Sequence, residues 1–585
     1  MSDKPDLLIR NATIADGSGA ALFEGDVAVG GGSILAVGRL ATVSGKEEID
    51  ARGLLLTPGF VDIHTHYDGQ AVWDSSLASS SWHGVTTAVM GNCGVGFAPV
   101  RPQDRRKLIE LMEGVEDIPG PVLNEGLQWN WQGFDDYLGV LEQRPRDIDI
   151  CAQLPHAALR LFVMGERAVR LEPATEDDIA AMRRLTVEGM RAGAIGFSTS
   201  RTLNHRASTG DYTFTLRASE AELAGIAQGM REAGSGVIEF ISDWDTPDLE
   251  GEFAMVRRVV AQSGRPFSYS LAQRHSSPDT WRRLAALTRQ AVDEGLAIKG
   301  QVAPRAVAVL MGLQCSRNPF SDFPSYREIA RRPFAERVAI LRDPQFRARL
   351  LGETRVDDGD PIARRLSSLD MIFPLGSPPN YAPGREQSLG AEARRSGRGA
   401  LDVAYDRLLE DGGRNFLYAP VANYRDYSLD VCRAMLADPN TLVGLGDGGA
   451  HVNFIADASF STYLLSYWGR DRGADRFDLP WLVKRQTWDN ARAMKLEDRG
   501  LIAPGMKADL NLIDFDRLDI DRPFVAADLP AGGSRLLQRA TGYVATVVSG
   551  TVTYRDGIAT GALPGRVVRG AQAAPSRTGP QSSSQ

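Results

Sequence analysis

The stretch Gly53-Leu-Leu-Leu-Thr-Pro-Gly-Phe-Val-Asp-Ile-His-Thr-His-Tyr-Asp68 contains two short apolar runs, separated by Thr57-Pro-Gly59, and then a His-x-His pair. Short apolar runs bounded by turn residues are typical of buried strands. Because side chains two residues apart point to the same face of a strand, we expect His64 and His66 on one side. Two imidazoles at a strand end are half of a metal site, and the pair needs further ligands from elsewhere in the chain.

The bulk composition narrows the class of protein. The chain has 585 residues, 43% hydrophobic and 24% charged, as in ordinary globular proteins. Its formal net charge of −8 leaves no basic stripe to neutralise phosphates, so no nucleic acid partner is expected. The four cysteines lie far apart, which favours a reducing compartment. Without an apolar leader or a run of about 18 apolar residues, we expect a cytoplasmic protein and no membrane partner.

Strand-like and helix-like patterns divide the chain into predicted parts. Residues 1–58 alternate in strand fashion, and strands return in residues 501–570, so both ends are predicted to build one small β-sandwich. Residues 59–500 alternate short apolar strands with amphipathic helices, the pattern of a parallel α/β fold. An insertion at about 316–400 is of the kind that often covers an active site. Residues 571–585, rich in Ser, Pro and Gln, are predicted to be disordered.

Local signals predict individual elements. Thr175-Glu-Asp-Asp178 and Ser219-Glu-Ala-Glu222 resemble capping boxes that start two amphipathic helices, which end at Gly193 and Gly234. Buried strands are predicted at Thr86–Met90, Gly193–Phe197, Gly236–Ile241, Phe267–Leu271 and Thr441–Leu445. Helical patches in the insertion are Phe334–Leu341 and Phe346–Leu351.

Two further strand ends add chemistry to the histidine pair. Cys93 follows the second apolar strand in Gly-Asn-Cys-Gly, where a thiol is either a metal ligand or a small buried hydrophobe. Asp447 follows a late strand in a glycine-rich loop, where it can bind metal and move a proton, or merely cap a turn. Histidine is scarce, with seven in the chain, so a chance pair two residues apart is improbable.

Several motifs occur together in the order of one known family. They are Pro58-Gly-Phe-Val-Asp62, His64-Thr-His-Tyr-Asp68, Gly84-Val-Thr-Thr87, Gly91-Asn-Cys-Gly94, Gly193-Ala-Ile-Gly-Phe-Ser-Thr199, Asp447-Gly448 and Gly505-Met-Lys-Ala-Asp-Leu510. With them, nearly the whole chain resembles the amidohydrolase superfamily and, within it, the N-acyl-D-amino-acid deacylases (D-aminoacylases). The resemblance implies an α/β fold, a (β/α)8 TIM-like barrel with a β-sandwich from both termini. It also implies an active site at the carboxyl ends of the barrel strands.

The resemblance further implies a ligand set. His64 and His66 correspond to the strand-1 metal ligands, and Cys93 to the thiolate ligand of this subfamily. Asp447 corresponds to the strand-8 carboxylate that holds the metal and shuttles the proton. His156, in Leu-Pro-His-Ala-Ala-Leu-Arg, falls near the subfamily's His-Gly-x-Leu-Arg run and is either a pocket residue or a core histidine. The expected cofactor is Zn²⁺, one or two ions per chain with one favoured.

Two departures from the family pattern concern the substrate and the second metal position. The family's strands 5 and 6 end in histidines, whereas residues 236–242 and 267–273 contain none, and Glu239 and His275 are the nearest substitutes. Val452-Asn-Phe-Ile455 stands where the family has an arginine that faces the substrate carboxylate. Both departures leave the identity of the substrate open.

The remaining substrate-binding candidates come from loops at the expected active-site face. Arg201, His205 and Arg206 follow a predicted strand, and their loop opens at that face of a barrel. An arginine there either grips an anionic group with two parallel hydrogen bonds or is a solvated loop charge. Glu239 and His451 complete the predicted set.

These observations predict a metal-dependent amidohydrolase that cleaves an amide C–N bond with metal-activated water and Asp447 as general base and acid. The preferred substrate is N-acyl (D-)amino acid-like. One alternative is a hydrolase of cyclic or other amides without a D-amino acid carboxylate. Another is a non-catalytic scaffold with the same fold. The expected partner is a small-molecule amide, and a homo-oligomer is left open.

Overall fold

Eight parallel strands in the middle of the chain form one continuous sheet. The structure, a computed structural model, describes residues 4–356, 363–364 and 366–575. The strands are β1 Phe60–Asp62, β2 Val85–Met90, β3 Asp149–Pro155, β4 Gly196–Arg201, β5 Val237–Ser242, β6 Phe267–Ser270, β7 Ile298–Val302 and β8 Thr441–Val443. Each pairs in parallel with the next in chain order. Burial on both faces of the sheet explains their nearly continuous apolar sequences.

The two edges of this sheet meet and close a barrel. Beyond the end of β8, the Asp447 amide donates to the carbonyl of His64 at 3.0 Å, and the His66 amide donates to the carbonyl of Gly448 at 2.7 Å. The Asn490 side-chain amide donates to the carbonyls of Val61 in β1 and Val443 in β8, at 2.9 and 2.8 Å. The segments that follow β1 and β8 are therefore held side by side by backbone hydrogen bonds.

Helices cover the barrel and connect its strands. In the described part of the chain, the α-helices with defined bounds are, in chain order, Gln70–Trp73, Arg105–Glu116, Gly120–Gly126, Phe134–Glu142, His156–Met164, Glu166–Val169, Glu176–Ala192, Glu220–Ala233, Leu249–Ser263, Thr280–Asp293, Pro324–Ile329, Phe334–Leu341, Pro344–Leu351, Leu389–Ser396, Ala400–Leu409, Asp430–Ala437, Phe460–Ser466, Leu479–Gln486 and Trp488–Ala493. The predicted capping box at Thr175 is formed in both directions, and Gly193 ends that helix with a left-handed φ of 116°.

Strands from both ends of the chain join in one nine-stranded sheet. Its members are Leu7–Ile14, Phe23–Gly30, Ser33–Gly38, Glu47–Asp50, Leu55–Pro58, Leu510–Ile513, Tyr543–Val548, Thr551–Arg555 and Ile558–Ala559. The two ends meet where Leu55–Pro58 pairs antiparallel with Leu510–Ile513. Two short ribbons follow in the C-terminal part, Asp519–Ile520 with Ala540–Thr541 and Phe524–Ala526 with Arg535–Leu537.

A separate unit lies between β7 and β8. Strands Val307–Met311, Phe373–Pro374 and Leu417–Ala422 form a three-stranded sheet, and this sheet packs with neighbouring helices around its own hydrophobic cluster. The unit is therefore longer at both ends than the insertion predicted from the sequence at about 316–400. Leu310 donates its amide to the carbonyl of Phe454 at 2.7 Å, so the unit contacts the loop that follows β8.

Most predicted strands agree with the structure within one or two residues, but Gly193–Phe197 does not. The strand there is Gly196–Arg201, because Gly193 is used to end the preceding helix. In the predicted tail, the Gln572 amide donates to the carbonyl of Lys495 at 2.9 Å, while residues 576–585 lie outside the described residues. No helix in the described part of the chain combines the length and apolarity needed to cross a bilayer.

Candidate metal centre and active site

The histidine pair lies at the carboxyl end of β1 and faces inward. The side chains alternate here as they do along a strand. Thr65 points away from the histidines, and its hydroxyl donates a hydrogen bond to the carbonyl of Val89 at 2.8 Å. The imidazole rings of His64 and His66 lie on the other side, with their centroids 5.4 Å apart. Both histidines are buried, at 1% and 2% exposure. The amide of His64 donates to the Asp62 carboxylate at 3.1 Å, which holds the turn that presents the pair.

Cys93 reaches the same point from the end of β2. Its backbone is left-handed, with φ 55°, and the Asn92 side chain holds the loop by donating to the carbonyls of Thr65 and Val89 at 3.1 and 2.9 Å. The Cys93 Sγ lies 3.4 Å from Nε2 of His64. Ligand atoms of His64, His66 and Cys93 all lie within 4.8 Å of one another. Two imidazoles and a thiol at this spacing are a donor set suited to zinc.

Asp447, beyond the end of β8, completes the cluster. Its Oδ1 lies 3.3 Å from Nε2 of His64 and 3.6 Å from Nε2 of His66. Its left-handed backbone, φ 47°, turns the carboxylate inward, and its side chain is 18% exposed. Asp447 is therefore both next to the donor set and open to the cavity, as a group that exchanges protons with a substrate must be.

The strand-5 and strand-6 positions hold no histidine in the structure either. Glu239 of β5 accepts the amide of Cys93 at 2.8 Å through one carboxylate oxygen, and its other oxygen makes no hydrogen bond with any described residue. On β6, Ser268 accepts a hydrogen bond from Nε2 of Gln301 at 2.9 Å. Glu239 of β5 therefore contacts the candidate ligand Cys93 directly, whereas Ser268 of β6 contacts Gln301.

Two residues next to the ligands carry no sequence signal. Gln301 of β7 places its Oε1 2.8 Å from Nδ1 of His64. Glu116, the last residue of helix Arg105–Glu116, places Oε1 3.3 Å from Nδ1 of His66 and Oε2 3.6 Å from Nε2 of His451. Neither belongs to a motif, and only their position after folding reveals them.

Burial shapes the charge state of these groups. It raises the pKa of the Glu239 carboxyl to about 7, and it raises the pKa of Glu116, an effect that the Asp447 charge increases. It also raises the pKa of the Cys93 thiol, as do the charges of Glu239 and Glu116. Burial opposes the ionisation of Asp447 as well, but hydrogen bonding to His66 and the imidazole charges bring its pKa below the usual value. Several acidic groups thus crowd together, an arrangement that a divalent cation would stabilise.

Buried polar atoms near the candidate ligands that have no hydrogen bond to a described residue are a second observation in favour of a metal ion. The buried atoms His66 Nδ1, Glu116 Oε2 and Glu239 Oε1 make no hydrogen bond within the described part of the chain. Leaving buried polar atoms unpaired is costly, and a nearby cation offsets that cost for the two carboxylate oxygens. His64, His66, Cys93 and Asp447 are the residues that would hold such an ion.

The cluster opens into a cavity of about 1100 Å³. Of the predicted substrate-binding residues, His205 and His451 line it, and Glu239 is buried behind the lining residue Cys93, whose amide it accepts. Burial lowers the pKa of His205 to about 3 and that of His451 to about 4, so both imidazoles are neutral at pH 7. Additional lining residues include Trp244, Arg206, Arg274, His275 and Arg317.

Two predicted substrate-binding residues lie away from this cavity. His156 is fully buried, with Nδ1 2.7 Å from the Thr199 hydroxyl and Nε2 2.9 Å from Glu222, so its ring is part of an internal network. Arg201 donates to Glu252 at 2.9 Å and lines a separate surface depression. The local sequence around His156 and Arg201 gives no sign of these hydrogen-bonding partners, which are distant in the chain.

The profile of the amidohydrolase family matches residues 47–554. The chain belongs to the amidohydrolase family. N-acyl-D-glutamate deacylase of Alcaligenes xylosoxydans xylosoxydans is 29% identical over 539 residues, which cover 90% of this chain and 92% of that protein. The predicted family and its D-aminoacylase-like relationship are confirmed.

Solved structures agree on the fold. The crystal structure of a D-aminoacylase superposes with a TM-score of 0.64 and 22% identity, over 97% of this chain and 100% of that chain. N-acyl-D-glutamate deacylase from Bordetella bronchiseptica, solved with zinc and a phosphonate inhibitor, matches with the same TM-score, identity and coverage. The predicted barrel fold is therefore confirmed, as is the class of hydrolases acting on non-peptide carbon–nitrogen bonds. This amidohydrolase is a metal-dependent amide hydrolase with a candidate metal site at His64, His66 and Cys93.

Proposed function

We propose that this amidohydrolase hydrolyses the amide bond of N-acyl amino acid-like substrates, with the D-series preferred, using one Zn²⁺ ion per chain. The observation that carries the proposal is the convergence of His64, His66 and Cys93 with the Asp447 carboxylate, whose Oδ1 is 3.3 Å from the first imidazole. Relatives that act on N-acyl-D-amino acids support the substrate class.

Asp447, His205 and His451 have different roles at the reacting centre. When bound, Zn²⁺ lowers the pKa of water and polarises a carbonyl oxygen. Asp447 accepts the proton that the attacking water loses and donates it to the leaving nitrogen as the C–N bond breaks, so the products are a carboxylic acid and an amine. The neutral imidazoles of His205 and His451 line the cavity beside this centre and are placed to hydrogen-bond the substrate.

The substrate carboxylate needs a cationic partner, and the loop after β8 supplies none. Of the arginines that line the cavity, Arg274 already pairs with Asp243 at 3.0 Å and Asp245 at 3.1 Å. Arg206, whose guanidinium lies over the Tyr212 ring at 4.1 Å, is our candidate for that contact. The alternative is a cyclic or other amide without a free carboxylate. It is favoured by the apolar and amide residues Val452-Asn-Phe-Ile455 in the loop.

Metal content and a substrate panel test the proposal. Protein purified without added metal is analysed for elements and then assayed on N-acetyl-D-amino acids, their L-enantiomers and small cyclic amides. About one zinc per chain with turnover of the D-series supports it, and turnover of cyclic amides alone supports the alternative. Two ions would indicate that Glu239 or His275 serves a second position. No bound metal after reloading, with no turnover of any amide in the panel, would overturn the proposed zinc-dependent hydrolysis.

A further inference from the structure

The outer nitrogens of the two histidine ligands contact two side chains with different chemistry. Nδ1 of His64 lies 2.8 Å from the amide oxygen of Gln301, and Nδ1 of His66 lies 3.3 Å from the carboxylate of Glu116. In both histidines Nε2 points the other way, toward Asp447 at 3.3 and 3.6 Å. An imidazole that binds a metal through Nε2 must carry its proton on Nδ1, and the hydrogen bond between His64 Nδ1 and Gln301 selects this tautomer. The contact between His66 Nδ1 and Glu116 is an ion-pair contact without hydrogen-bond geometry.

The orientation of Gln301 is itself determined. Its Nε2 donates to the hydroxyl of Ser268 at 2.9 Å, so Oε1 is the atom left to face His64. Gln301 is on β7 and Ser268 on β6, and both are buried, at 1% and 9% exposure. A buried amide with both ends engaged is held by two neighbouring barrel strands and has little freedom to rotate.

Glu116 is also held by its surroundings. Its side chain is 2% exposed, and its helix is anchored by buried residues that include Leu108, Met112 and Val115. The amide of His451 donates to the Glu116 backbone carbonyl, so the loop after β8 is tied to the helix end. In the described part of the chain, the ion pairs of the Glu116 carboxylate are to His66 and His451.

We propose that Gln301 and Glu116 are positioning residues of the metal centre. Gln301 holds His64 by a hydrogen bond at Nδ1, and Glu116 holds His66 by the close approach of its carboxylate to Nδ1, so that both rings present Nε2 to a divalent cation. The inference rests on the proposed metal site. It assigns strands β6 and β7 a supporting role, with Ser268 fixing Gln301 and Gln301 fixing His64. Glu116 supplies the corresponding support to His66 from outside the barrel sheet.

Metal affinity measured without substrate tests the proposal. Metal-free full-length protein is titrated with Zn²⁺ against a chromophoric chelator, and the visible spectrum of the Co²⁺-loaded protein reports the ligand geometry. Gln301→Met keeps the volume but removes the acceptor, and Glu116→Gln removes the charge. Each is expected to weaken Zn²⁺ binding by roughly 10- to 100-fold, as loss of outer partners of ligating histidines does, and to shift the Co²⁺ bands.

Two matched variants separate positioning from packing. Gln301→Glu retains an acceptor for Nδ1 of His64 and is expected to bind Zn²⁺ within about threefold of the wild type. Glu110→Gln neutralises a glutamate of the same helix as Glu116, one that pairs with exposed Arg106, and is expected to leave affinity and spectrum unchanged. Thermal melting of the metal-free proteins identifies any variant that has simply lost its fold.

The outcomes distinguish the two proposals. Wild-type affinity and spectrum in both Gln301→Met and Glu116→Gln would overturn the positioning role while leaving the metal site in place. Equal weakening in Gln301→Met and Gln301→Glu would assign Gln301 to packing and overturn its role as an acceptor. A wild-type protein that binds neither Zn²⁺ nor Co²⁺ would overturn the proposed function, and the positioning role with it.

Discussion

Replacing Asp447 by asparagine removes the proposed proton acceptor with little change in volume. In the structure, Asp447 Oδ1 is 3.3 Å from His64 Nε2 and 3.6 Å from His66 Nε2. Burial opposes ionisation of this carboxyl, but the hydrogen bond to His66 and the charges of both imidazoles place its pKa below the ordinary value. The carboxylate is therefore ionised at neutral pH and can take up a proton, which a carboxamide cannot do.

The magnitude follows from the two roles of this residue. General acid–base catalysis by a positioned group contributes about 10²- to 10⁴-fold to the rate. Because Asp447 also borders the donor set, the loss in Asp447→Asn is expected near the upper part of this range, about 10³-fold or more in kcat. A 10³-fold loss corresponds to about 4 kcal/mol of transition-state stabilisation.

The assay measures amine release from the best substrate of the panel, with metal per chain and melting temperature determined on the same samples. Asp279→Asn serves as the control, because Asp279 is 82% exposed and pairs with Arg282 at the surface; its turnover is expected to equal the wild type. Turnover of Asp447→Asn above about a tenth of the wild-type value, at full metal content, would refute the assignment of Asp447 as base and acid.

Three further predictions test other parts of the molecule. Cys93→Ser is expected to remove the thiolate charge-transfer absorption of the Co²⁺-loaded protein, and an unchanged spectrum would exclude Cys93 as a ligand. Arg499→Met breaks a buried ion pair with Asp149, at 2.8 Å with side chains 1% and 0% exposed. The substitution is expected to lower the free energy of unfolding, measured by urea titration, by about 3 kcal/mol. This value is at the low end of the usual loss for a broken buried ion pair, because Lys507 also contacts Asp149 at 3.2 Å. A loss below about 1 kcal/mol would contradict the prediction. Burial lowers the pKa of His83 from 6.5 to about 4, so the unfolded chain takes up this proton first as the pH falls, and stability is lost between about pH 6.5 and 4. Between pH 7 and 4.5 the wild type should lose on the order of 2 kcal/mol more than His83→Gln, and equal losses would count against a neutral buried His83.

Strand ends explain why so much of the candidate site follows from the sequence. His64, Cys93 and Asp447 each follow a short apolar run, and in a closed parallel barrel all such runs end at the same face. Residues far apart in sequence therefore meet without any further information. The capping box at Thr175 is equally local, because its partners lie within one helical turn.

The loops beyond the strands were less predictable. Arg201 and His156 follow or end barrel strands as a pocket residue would, but Glu252 and Glu222 engage them. Whether a polar side chain near a strand end faces the cavity or an internal partner depends on residues 50 or more positions away, which local patterns do not encode.

The sequence alone predicted a parallel α/β fold and a histidine pair on one side of a strand end, because alternation along strands and their shared direction are short-range rules. The family resemblance added the barrel and the candidate roles of Cys93 and Asp447. Only the tertiary structure brought Glu116 to His66, and Gln301 to His64. Glu116 ends an ordinary amphipathic helix and Gln301 lies within an unmarked strand, so neither has a local signature. Their roles arise from the packing of a helix and two strands around the barrel mouth, where burial turns common polar side chains into specific hydrogen-bonding partners.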